Sequence, residues 1–153
     1  MTYTSRVEGS GASGLQSVFL ADWYYASGQY LSSPEYYPNV EVFGEVPIQV
    51  VNAEPLGMHS NVMEAMFTAI TRAKKNVYIE TPYFIPTECL LQAIQTASMS
   101  GIDVRLVMLN ESDNDFVQYA SNSYVEKLLR NKVRVYQYVN GFTHSKLMIV
   151  DDE

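Results

Sequence analysis

Thr143-His144-Ser145-Lys146-Leu147-Met148-Ile149-Val150-Asp151 joins an apolar, partly β-branched run to three ionisable side chains in the pattern H-x-K-x-x-x-x-D. The run has the composition of a strand, and the expected strand covers residues 143–150. Residues i and i+2 of a strand point to one face, so His144 and Lys146 stand side by side. An imidazole able to act as nucleophile or general base then lies beside a fixed positive charge, which suits attack on a phosphodiester. A partly buried lysine costs free energy unless it has a partner, so its place at the entry to an apolar run argues for use. Asp151 follows His144 by seven residues, an odd offset. On a straight strand it faces away from the imidazole, which gives it a supporting or orienting part in the site, not a reacting one.

Outward from this stretch the chain alternates. Further strands are expected at 47–52, 76–81, 102–109 and 133–138, and helices at 61–75, 87–100 and 115–131. Thr87 is the expected cap of the second of these helices and Gly101 its stop. Residues 2–14 are rich in Ser and Gly, with a short extended piece at Arg6-Val7-Glu8. Leu15, Phe19, Asp22, Trp23 and Ala26 then recur at helical spacing, with Ser13 as the expected cap. Residues 32–46 hold two prolines and little periodicity, and read as a linker. Strands alternating with helices define an α/β class, a sheet with helices packed on it. No internal repeat stands out.

Composition narrows the function classes. A chain of 153 residues with 47% apolar residues can bury a real core. The formal charge of −7 argues against a broad nucleic-acid surface and gives no general attraction to anionic lipid. Cys89 is the one cysteine, which excludes an internal disulfide framework. Beside Leu90 and Leu91 in an amphipathic helix it reads as a packed thiol, not a nucleophile. His144 and the distant His59 lack the ligand spacing of a zinc site, so no metal is expected. No apolar run has the length of a membrane span.

Three other stretches share a likeness with the H-x-K-x-x-x-x-D segment. They are Thr81-Pro82-Tyr83-Phe84-Ile85-Pro86, Ala120-Ser121-Asn122-Ser123-Tyr124, and Leu15-Gln16 with Phe19-Leu20-Ala21-Asp22-Trp23. Together with residues 138–151 they resemble the phospholipase D superfamily and, within it, the bacterial cardiolipin synthases. The resemblance covers nearly the whole chain from about Arg6 onward. It implies a phospholipase D-like mixed sheet flanked by helices, truncated at the C-terminus. Family members carry two H-x-K-D motifs, one in each of two similar halves, whereas this sequence has one. Residues 1–45 therefore resemble the tail of a preceding half plus a linker, and 46–153 a partial second phospholipase D-like domain.

The resemblance also implies a reaction. One histidine attacks phosphorus, the other protonates the leaving alcohol, and a second alcohol displaces the phosphohistidine. In cardiolipin synthases a phosphatidyl group passes between two phosphatidylglycerol molecules and glycerol leaves. The implied catalytic residues are His144, Lys146 and Asp151, with Tyr83 and Phe84 binding substrate, core packing being the alternative for those two, and no cofactor or metal. The implied partners are phosphatidylglycerol and either the first half of the same chain or a second copy, with no nucleic acid. The implied setting is the bacterial cell membrane, reached through a preceding N-terminal region, with this domain on the cytoplasmic side. The isolated stretch is expected to be inactive or weakly active. Another phosphodiesterase of the superfamily, or a non-catalytic interaction module, is the competing reading.

Remaining features have plainer readings. Met58, Met63, Met66 and Met99 are expected as core gap-fillers. Tyr24, Tyr25, Tyr30, Tyr36 and Tyr37 form an aromatic cluster around the linker that suits an interface. The Ser112-Asp113-Asn114-Asp115 run either contacts a glycerol hydroxyl or caps the next helix, and the cap is favoured. His59 is expected at the surface, and the last strand at an exposed sheet edge.

Overall fold

The computed structural model describes residues 4–37, 39–53 and 60–151. Met58 and His59 lie outside the described residues. The chain divides into two compact units, Thr4–Val62 and Met63–Glu153.

The first unit is built on α1, Ser10–Ser27. It starts four residues earlier than a Ser13 cap would set it. Gly9 takes the N-cap position with no side-chain cap bond, and the Ser13 carbonyl accepts from Ser17 Oγ inside the helix. Gly28 ends the helix at φ 70°, its N–H donating to the Tyr24 carbonyl at 2.9 Å, a left-handed stop that glycine adopts without strain. Neither the extended piece at 6–8 nor residues 47–52 form a strand. A strand needs a ladder, and Ile48 and Val50 instead lie against α1. A methyl group placed on Gly14 would stand 2.8 Å from Val50 Cγ2.

The second unit is the α/β domain. Its order is α2 (Asn61–Arg72, which begins in the first unit), β1 (Asn76–Glu80), α3 (Glu88–Met99), β2 (Asp103–Leu109), α4 (Asp115–Arg130), β3 (Arg134–Tyr138) and β4 (Leu147–Val150). The sheet order is β3-β2-β1-β4, with β1, β2 and β3 parallel and β4 antiparallel to β1. Both parallel crossovers step the same way, so right-handed connections put α3 and α4 on one face. That face carries Val77, Ile79, Val104, Leu106 and Met108, which cluster with Ile70, Leu91, Ile94 and Leu128. The α/β class and the mixed, helix-flanked sheet read from the sequence are the architecture found.

Caps follow side-chain chemistry. Thr87 caps α3, its hydroxyl accepting from Leu90 N, and Asn114 caps α4, accepting from Val117 N. Two apolar expectations fail. Cys89 is exposed and Met99 is 55% exposed, because both fall on the face of α3 away from the sheet. Met63 and Met66 are half-buried on α2.

β4 is shorter than the expected 143–150, because only residues opposite β1 find a ladder. Leu147 pairs with Glu80, the last residue of β1, and the chain before it runs past the sheet end. The link from β3 must reach the far side of β1, about 14 Å away at three strand spacings. Eight extended residues, 139–146, span about 26 Å and cover that easily. The link therefore passes across the carboxyl ends of β2 and β1. That is where open α/β sheets bind ligands.

Candidate active site

Three segments converge at this end of the sheet: the link before β4, the loop 81–86 after β1, and the loop 110–114 after β2. The link brings Phe142, His144 and Lys146. Both His144 and Lys146 are exposed, so the lysine is not the partly buried one expected from its apolar neighbours. The reason is their position on the rim, beyond the last paired residue of β4.

His144 and Lys146 do come together. The ammonium Nζ lies 3.3 Å from Nδ1 and 3.2 Å from Nε2 of the imidazole, and donates to the His144 carbonyl at 3.0 Å. A point in the ring plane at that distance from both nitrogens would collide with the carbon between them. The ammonium therefore sits over the ring face, out of the plane in which the nitrogen lone pair lies. Two aromatic rings neighbour the imidazole. Phe142 lies nearly parallel to it, with centroids 6.0 Å apart and planes at 18°, and Tyr83 meets it edge-on at 6.2 Å and 76°.

Tyr83 reaches the site from the 81–86 loop. That loop is fixed by Phe84 N donating to Ser121 Oγ at 3.1 Å and by Thr81 Oγ1 donating to the Tyr83 carbonyl at 3.2 Å. Phe84 does not reach the site. It is 5% exposed, and its ring packs edge-on against Tyr124 in the core, since the alternation of the loop sends successive side chains to opposite sides. The Ala120-Ser121-Asn122-Ser123-Tyr124 stretch thus supplies both anchors of Phe84, one polar and one aromatic.

Tyr83 OH donates to Asp113 Oδ1 at 2.7 Å, and Ser112 Oγ donates to the same oxygen at 3.3 Å. The tyrosine bond, above all, holds the Asp113 carboxyl below the usual carboxylate range, against a smaller opposing effect of desolvation; the His144 charge adds to the depression. Tyr83 is raised in turn, first by that bond, then by burial and the Asp113 charge. The cap of α4 falls to Asn114, one residue on, so Asp113 is free for the site. In the sequence the run has two readings, contact with a hydroxyl or a cap, with the cap favoured; the structure divides them between Asp113 and Asn114. The only signal for Asp113 was its place after a strand end.

Asp151 is not brought to the imidazole. It sits at the opposite end of β4 with φ 54°, and its carboxylate accepts from Lys74 N, Lys75 N and Asn76 N at 2.7 to 3.2 Å. Those amides lower its pKa, the Lys75 bond most, with desolvation opposing. Four paired residues separate it from the rim, so its work is to clip the end of β4 to the start of β1. Among the described residues no group of His, Cys, Asp and Glu has the arrangement of a metal site. Among them, too, no helix is long and apolar enough to cross a membrane.

Residues 66–153 match the sequence profile of the family described as cardiolipin synthase, PLD-like domain. The chain belongs to that family. The cardiolipin synthase of Geobacillus thermodenitrificans is 39% identical over 149 residues, 96% of this chain and 30% of that protein. The major cardiolipin synthase ClsA of Bacillus subtilis is 37% identical over 150 residues, 97% of this chain and 31% of that protein. This chain thus spans about three-tenths of the length of the curated relatives it matches. Among solved structures, Nuc from Salmonella typhimurium, a phospholipase D family member, aligns with a TM-score of 0.49 at 22% identity over 60% of this chain and 58% of that one.

Proposed function

We propose that this chain is the part of a bacterial cardiolipin synthase that carries one H-x-K-D motif. The enzyme passes a phosphatidyl group from one phosphatidylglycerol to another through a phosphohistidine and releases glycerol. The observation that carries this reading is the His144–Lys146 pair, exposed at the carboxyl end of the sheet with the ammonium within 3.3 Å of the imidazole nitrogens.

A histidine nitrogen attacks phosphorus, the bond from phosphorus to the glycerol oxygen breaks, and that oxygen takes a proton from a second imidazole. The hydroxyl of the acceptor phosphatidylglycerol then attacks phosphorus, returns a proton to the second imidazole, and displaces the first. His144 is one member of this pair. The other comes from outside these 153 residues, from the preceding half of a longer chain, of which residues 1–45 are the tail. Lys146 stands over the ring as a point charge for the non-bridging oxygens, which gather charge in the transition state. Tyr83 lines the headgroup side of the site and Asp151 acts only through β4. The domain works at the bacterial membrane, on its cytoplasmic side, anchored by other parts of the protein.

The test is the full-length enzyme in vesicles containing phosphatidylglycerol labelled in the phosphate. Cardiolipin and an acid-labile phosphohistidine are the expected products. His144→Ala abolishes turnover, and Lys146→Ala lowers kcat by roughly 10²- to 10³-fold. Hydrolysis to phosphatidic acid without cardiolipin would replace transfer to alcohol by transfer to water. Full activity in His144→Ala would remove the site altogether.

A further inference from the structure

Beside His144 lies a polar pair that the reaction itself does not use. Thr143 is 1% exposed, less than any other polar residue buried among the described residues. Its Oγ1 donates to Glu80 Oε1 at 2.7 Å and accepts from Ser145 N at 3.4 Å. Glu80 ends β1 and stands opposite Leu147, the first residue of β4. One buried oxygen thus ties the residue before His144 and the residue after it to the last rung of the sheet.

Two facts make this more than packing. The link 139–146 forms no ladder of its own, so nothing in the sheet pattern fixes the backbone at His144. A carboxylate at a rim meant for an anionic phosphodiester also opposes binding, and a neutral hydroxyl does not cancel that, so its presence there argues for a use of its own. Glu80 is engaged, with Thr143. Displacing a reacting group by 1 Å can cost about a hundredfold in rate, so an anchor on both sides of the nucleophile has a direct kinetic meaning.

We infer that Glu80 and Thr143 are positioning residues: their hydrogen bond, passed on through the Ser145 amide, sets the aim of the His144 imidazole at phosphorus. This rests on the phosphatidyl-transfer reading of the site. The role asks for an acceptor oxygen at position 80, not for a charge. Glutamine at 80 and serine at 143 therefore preserve it, and alanine or valine do not.

Two measurements test it. In the full-length enzyme, Thr143→Val and Glu80→Ala should each lower kcat about tenfold or more with KM within about twofold, and the double variant should fall no further than the worse single one. Thr143→Ser and Glu80→Gln should stay within about threefold of the starting enzyme. In the 153-residue chain, the Ser145 amide should exchange slowly with solvent and lose that protection in Thr143→Val, a readout that needs no turnover. Unchanged kcat in Thr143→Val and Glu80→Ala, alongside a dead His144→Ala, overturns the inference and leaves the transfer reading standing. So does a Glu80→Gln as slow as Glu80→Ala. Absence of transfer by the unaltered enzyme overturns the transfer reading instead, while the amide exchange still reports the anchor.

Discussion

Tyr83 and Asp113 hold one another in fixed protonation states, and the signs of their shifts define a window. Asp113 is depressed, so its stabilisation is present above the unfolded value near ~3.9 and is lost as pH falls through the folded value. Tyr83 is raised, so its share is present below about 10 and is lost as pH rises through its folded value. Between those limits the pair stays closed against His144. Tyr83→Phe is expected to move the Asp113 carboxyl titration, followed by carbon NMR, upward toward ~3.9; an unmoved midpoint would mean the bond does not form. His144 and Lys146 were legible because a period-2 argument needs only two residues of the same segment. The Tyr83–Asp113 bond was not, because it spans two strand ends 30 residues apart that only the sheet brings together. Phe84 illustrates a related limit: the 81–86 stretch does alternate, but the sequence alone does not say which of its two sides faces the core.

At the level of elements, the side-chain caps of α3 and α4 were readable, whereas Ser13 was not the cap of α1. Thr87 and the Ser-Asp-Asn run each end up beside the helix start that their chemistry demanded. Thr87→Ala is expected to cost about 1 kcal/mol in denaturant unfolding. Ser121→Ala tests something the helix pattern hides. It leaves the buried Phe84 N–H without its acceptor, and a loss of about 1–3 kcal/mol is expected, against near-neutrality if water replaces the hydroxyl. The two strand failures share one cause. Residues 47–52 and the lead-in to β4 both have strand composition, but a strand is a property of a pair. Pro47 offers no N–H, Ile48 and Val50 lie on glycines of α1, and the lead-in runs beyond the end of its partner.

At the scale of the molecule, alternation of strands with helices was enough for the α/β class, but the face on which α3 and α4 lie follows only once the strand order is known. The partner of β4 was not legible. An eight-residue link without a helix suggests a hairpin onto β3, yet β4 lies antiparallel on β1 at the other side of the sheet. Non-local terms decide it: Met148 and Val150 pack against the shared core, and Asp151 clips onto the amides of 74–76. Because Asp151 is depressed, that clip is present above ~3.9 and is lost as pH falls through its folded value. Asp151→Ala should therefore melt well below the unaltered chain at neutral pH, with the gap narrowing in acid; a constant gap would deny the clip its charge. Leu128, with no exposed surface, sets the scale for the core, and Leu128→Ala should cost about 2–5 kcal/mol. The open position of Cys89 has a practical corollary. It is the sole sulfhydryl, in the opening turn of α3, at the same end of the sheet as the imidazole. A maleimide-linked fluorophore or spin label there would attach at one place only, and would report on changes at that end of the sheet without altering His144 or Lys146.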